Sequence, residues 1–152
     1  MRVKYWLVIL LAAALTLVAG GGAVAAGVQG KTTTGGGWFD DSLSGNKITF
    51  GFNARDTGDG AVEGEFQLVD HGPTTNIHGT FTRLSTSGSL SLLWGTCSID
   101  GEGDYTLSII CVDNGEPGIG IDTIKIVIFD IYFPIKIYIG TLGGGNLQVH
   151  KK

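Results

Sequence analysis

The sequence predicts an all-β domain: an antiparallel β-sandwich of jelly-roll type, with about eight or nine strands and no helix after an N-terminal signal peptide. Three observations carry this reading. Apolar residues alternate with polar ones at a period of two along most of the chain beyond residue 27. Turn clusters of Asp, Asn, Gly and Pro separate these runs at short intervals. Glycine, with 26 of 152 residues, interrupts every window in which a helical period might develop.

Taken in order, Arg2 and Lys4 precede an uncharged apolar run from Tyr5 to Ala19, and Ala23-Val24-Ala25 or Val24-Ala25-Ala26 offers small residues for cleavage. The run is shorter than the ~20 residues that span a bilayer. Residues 1–26 are therefore read as a signal peptide, 27–36 as a glycine-rich lead-in and 37–152 as one β-domain, secreted and with no membrane segment after cleavage. Ile48, Phe50, Phe52 and Ala54 define the first clear inward face. Asp56-Thr57-Gly58-Asp59-Gly60 turns the chain into a run with Val62, Phe66 and Leu68. His71-Gly72-Pro73 leads to Ile77 and Phe81. Leu90 and Leu92 share one parity, whereas Leu93, Gly95, Cys97 and Ile99 share the other. A β-bulge at Leu92–Leu93 would reconcile them and point Trp94 outward. Asp100-Gly101-Glu102-Gly103-Asp104 then joins a hairpin to Tyr105, Leu107, Ile109 and Cys111.

Residues 119–139 differ in being apolar at both parities, with Asp130 and Pro134 near their turn. Strands of that kind are either covered on both faces or placed at an interface. The glycine triplets at 35–37 and 143–145 flank similar segments, so the two ends are expected to pair.

Composition narrows the function. Charged residues make up 16% and the formal net charge is −4, which opposes nucleic-acid binding, since phosphate neutralisation needs a basic surface. Removing the signal peptide takes away two cations and makes the chain more acidic still. There is no nucleophile elbow, HExxH or phosphate loop, so an enzyme is not expected.

Several motifs in order resemble a family of secreted prokaryotic β-domains, the post-COAP domains. The resemblance runs from Gly35-Gly36-Gly37-Trp38 through residues 48–54, Val69-Asp70-His71-Gly72 with His78, and Gly95-Thr96-Cys97. It continues through Asp113-Asn114-Gly115-Glu116-Pro117-Gly118 with Asp122 to residues 140–146. It implies a surface or secreted domain and brings no catalytic residues. The expected function is a structural or adhesive surface domain that self-associates or contacts another surface protein. A carbohydrate-binding module is the alternative, with glycans stacked on Trp94, Tyr132 and Tyr138.

Three further groups of residues bear on chemistry. Asp70, His71 and His78 lack the further ligands a zinc site needs, and read as turn and surface residues. Asp113, Asn114, Glu116 and Asp122 bring four oxygen-bearing side chains into one loop and are the candidate ligands for weakly bound calcium. Their Asn-Gly and Pro-Gly dipeptides favour a structural turn in which Asp113 caps its own loop amides. No other cofactor is expected. With the hairpin turn centred on Glu102, Cys97 faces Leu107 and Cys111 faces Leu93, too far apart to bridge. Both are expected to be buried thiols and not a disulfide.

Overall fold

A computed structural model of the chain describes residues 31–150. The expected signal peptide, residues 1–26, lies outside them, as do residues 27–30 of the lead-in. The described chain is all-β, with no helix. Its nine strands are β1 (Thr32–Asp40), β2 (Lys47–Asp56), β3 (Val62–Asp70), β4 (Thr75–Ser87), β5 (Leu90–Ile99), β6 (Glu102–Val112), β7 (Thr123–Asp130), β8 (Phe133–Thr141) and β9 (Gly144–His150). The first strand thus begins within the residues read as lead-in.

All nine strands are antiparallel and join one sheet in the order β8-β7-β6-β5-β4-β3-β2-β1-β9. This corrects the expected two-sheet sandwich: the ladder shows a single sheet curled into a half-barrel, without jelly-roll crossovers. The physical reason is local. Each strand from β1 to β7 pairs with its successor, and the curl wraps one face around the core, which a sandwich achieves by stacking two sheets. Phe39, Ile48, Phe66, Leu68, Ile77, Leu93, Leu107, Ile109, Ile126, Ile128 and Leu147 lie fully buried on that inner face.

The glycine-flanked ends do pair: Gly37 lies opposite Gly145 and Gly35 opposite Leu147. The two outermost strands of the sheet, β8 and β9, are consecutive in sequence and separated only by Leu142 and Gly143. Side chains and loop backbone tie this seam. Ile139 accepts from the Ser42 N–H at 2.8 Å and donates its own N–H to Asp41 Oδ1 at 2.8 Å. The Gly143 N–H reaches Trp38 O, and the Leu142 N–H reaches Asp122 O, both at 2.9 Å.

Turn chemistry fixes the register of the β5–β6 hairpin. Asp100 and Gly101 both have positive φ, 52° and 81°, as a two-residue primed turn requires. Ile99 therefore faces Glu102, and a bulge between Cys97 and Ile99 sets Cys97 opposite Tyr105. Gly95, not Cys97, faces Leu107, and Cys111 faces Ser91, not Leu93. The expected register was displaced because it centred the turn on Glu102. The expected bulge at Leu92–Leu93 is also absent. Ser91, Leu93, Gly95 and Cys97 all point inward, and Leu90, Leu92 and Trp94 outward. An outward leucine needs no bulge when the outer face itself is apolar at that position. The second irregularity of this region lies in β4, between Phe81 and Arg83.

Candidate functional site

The outer face of the curled sheet divides into two regions of different chemistry. Over β2 to β5 it is polar. Register aligns Asn53, Glu65, Thr80 and Thr96 in one row across four strands, and Gly51, Gln67, His78 and Ser98 in the next. These positions line an open groove of about 690 Å³, to which Gly103 and Asp104 add one wall. Phe52 and Phe66, whose positions in their strands are inward, also border it. The strand alternation that sends Phe50, Phe52, Phe66 and Leu68 inward obliges the intervening residues to face the groove.

Over β5 to β8 the outer face is apolar. Trp94, Ser108, Val127 and Ile137 form one row, and Leu92, Ile110, Lys125 and Ile139 the next. Lys125 is the single charged residue of these two rows, and burial lowers its ammonium pKa below the usual lysine value. Beyond them the β7–β8 hairpin ends in a bare apolar tip. Ile131, Tyr132 and Phe133 are 76%, 83% and 75% exposed, and Ile135 follows at 45%.

The three rings expected to bind sugars are not brought together. Tyr138 is part of the core. Burial pushes its hydroxyl pKa up, helped by the Asp70 carboxylate through its charge and a weak hydrogen bond, and by the charges of Asp41 and Asp100. Among the described residues the hydroxyl has no partner in normal hydrogen-bond geometry. Trp94 is half-buried on the apolar outer face with the Arg83 guanidinium 5.4 Å from its ring centroid. Tyr132 stands at the hairpin tip.

The Asp70, His71 and His78 group is likewise dispersed. Asp70 is buried and accepts from Asn46 Nδ2 and the Gly72 N–H, each at 3.0 Å. His71 Nε2 lies 3.0 Å from Thr49 Oγ1 on the turn after β3, whereas His78 faces the groove from β4.

In the 113–122 loop the oxygens expected as calcium ligands bind amide hydrogens. Asp113 Oδ1 caps the Gly115 N–H at 3.2 Å, and its Oδ2 takes the Val149 N–H at 3.1 Å. Asp122, fully buried, accepts the Asn114 N–H at 2.8 Å and the Leu147 N–H at 2.9 Å. Glu116 accepts from Asn146 and Gln148, and these two amides hold its carboxyl below the usual glutamate range. Asn114 donates its side-chain amide to Ile121 O at 2.6 Å. The loop therefore serves as the missing neighbour strand for β9, its carboxylates replacing ladder carbonyls. Among the described residues no group of three or more His, Cys, Asp or Glu is placed to hold a metal ion.

Cys97 and Cys111 are buried and unbridged. Burial raises their thiol pKa values to about 11 and about 12, with Asp104 adding to the first and Asp113 and Asp122 to the second.

Compared with known proteins, the chain matches no family, no curated protein and no solved structure. Of the groove residues only His78 was weighed as a ligand from the sequence; Gly51, Asn53, Thr96 and Asp104 entered that reading as strand, motif and turn residues and not as a site. Their one signal is polar residues recurring at the outward parity of successive strands, which any wetted sheet face also shows.

Proposed function

We propose that this chain is a secreted or cell-surface structural domain that acts by adhesion, through contact with a second copy or another surface protein, and not by catalysis. The observation that carries the reading is the apolar outer face of β5–β8, continued by the exposed Ile131–Ile135 tip. Four strands at ~4.8 Å and about three outward positions per strand at ~6.8 Å cover roughly 400 Å² in projection. Ser108 and Val127 are already buried in the row of Trp94 and Ile137, so the exposed Ile131–Ile135 tip has to supply much of the further area toward the ~800 Å² per partner of a standard interface. A second copy seated there would stack sheet on sheet, so the sandwich layering expected from the sequence would arise between chains. The resemblance of the sequence to the post-COAP domains, an expectation from its motifs alone, is in keeping with a surface role.

Size-exclusion chromatography with light scattering tests this. The exported chain should associate as its concentration rises, and a Phe133→Ser/Ile137→Lys double variant should stay monomeric with an unchanged melting temperature. A wild-type chain that stays monomeric at every concentration and adheres to no cell surface would refute the proposal.

A further inference from the structure

The polar groove supports an inference independent of the apolar face. We infer that it is a binding site for a neutral oligosaccharide. Gly51 is the first observation. It lies within β2 at an outward position, its φ is not positive, and a Cβ built there would meet nothing within 4 Å. Neither turn geometry nor packing asks for glycine at this position. Gly79 and Gly95 contrast with it: a Cβ at Gly79 would lie 2.6 Å from Thr96 O and one at Gly95 would collide with Thr80 O, so those two are required by the fold. A strand-interior glycine without such a neighbour marks a bulge, a bend of the sheet or a close approach to the backbone from outside, and the ladders on both sides of Gly51 run without a bulge. Here it keeps the floor of the groove open.

The second observation is the chemistry around that floor. Gln67, His78 and Ser98 continue the row from Gly51, and Asn53 and Glu65 flank it. None of these side chains has a hydrogen bond or ion pair within the described residues. Amides and an imidazole that both donate and accept, beside a carboxylate that only accepts, can satisfy the paired hydroxyls of a sugar ring. The groove contains no Lys or Arg, while Glu65 and Asp104 both line it, so phosphate, sulfate and uronate groups are repelled. Its volume of about 690 Å³ falls in the ~300–1,000 Å³ range of small-ligand sites, and its open sides let a chain of sugars run through.

The test titrates the exported chain with gluco-, manno- and chito-oligosaccharides, with an oligogalacturonate as the anionic control, and follows amide resonances by NMR. At least one neutral oligosaccharide should shift Gly51, Gln67, His78 and Ser98 at millimolar concentration. Gln67→Ala should weaken that binding by about tenfold, the scale of one good hydrogen bond. Gly51→Val should abolish it while the melting temperature stays equal or rises, since valine fits the strand and meets no neighbour. Failure of every neutral sugar to shift these residues would overturn the inference. So would a preference for the oligogalacturonate, or binding that survives Gly51→Val.

Discussion

Replacing Asp122 by alanine tests whether the β9 seam is held by side chains. In the native chain this fully buried carboxylate accepts two backbone N–H groups, from Leu147 at 2.9 Å and from Asn114 at 2.8 Å. Alanine leaves both donors without a partner. The Leu147 amide is buried and loses about 1–3 kcal/mol, and the partly buried Asn114 amide loses about 1 kcal/mol. We expect a destabilisation of about 3 kcal/mol, a large share of the ~5–15 kcal/mol that holds a typical domain together. At ~4 °C per kcal/mol for a chain of this size, the melting temperature should fall by about 12 °C. Asp122→Asn keeps one acceptor and turns an amide N–H against the other donor, so it should cost about half as much or more. Glu116→Gln, at an exposed carboxylate, should stay within about 0.5 kcal/mol of the native chain. Urea unfolding gives the energies, and hydrogen exchange gives the location: the Leu147 amide should lose protection before the centre of β5 does. An Asp122→Ala chain within about 0.5 kcal/mol of wild type, with Leu147 still protected, would refute the reasoning.

Two further predictions follow from buried groups. Tyr138→Phe removes a buried hydroxyl that has no partner in normal hydrogen-bond geometry among the described residues and only a weak interaction with Asp70, so stability should be unchanged or rise by about 1 kcal/mol, read by denaturant unfolding; a loss above that size would show that Asp70 accepts a full hydrogen bond from it. Cys97 and Cys111 should resist thiol reagents at pH 8 until the chain unfolds, because their native pKa values of about 11 and about 12 keep them protonated. An unfolded thiol ionises near pH 8.5, so above that pH the native state binds more protons than the unfolded one. Stability should therefore decline between about pH 8.5 and pH 12, and Cys111→Ala should flatten that decline in a pH series of urea midpoints.

The strands were legible in the sequence because burying one face imposes a period of two. Ile48, Phe50, Phe52 and Ala54 announce β2 without ambiguity, and all four are buried. The number of sheets was not legible. Alternation reports that one face is covered, and says nothing of whether a second sheet or the curl of the same sheet covers it. Trp94 could be placed outward from its parity, but its apolar neighbours could not be grouped with it. Val127 and Ile137 join its row only through the register of three successive ladders. The 113–122 loop shows the same limit. Its oxygens were visible, yet their partners at Asn146, Leu147 and Val149 lie across the seam and nothing local connects them. The groove depends on lateral alignment in the same way, since Gly51 and Ser98 are brought into one row only by the intervening strands.

The seam between β8 and β9 also orders events in time. From β1 to β7 each strand meets its successor across a connection of at most ten residues, so hairpins can zip together as soon as their residues are available, at little loss of chain entropy. The pairing of Thr32 with His150 joins the two extremes of the described chain. It must await the last segment, and it closes the longest loop. Until then Gly35 and Phe52 lack the Leu147 side chain that packs against them, and water can reach the inner face along an open trough. Any machinery that holds the chain back before its final strand arrives would keep that trough accessible. Release of the C-terminal segment would then shut it in a single late step.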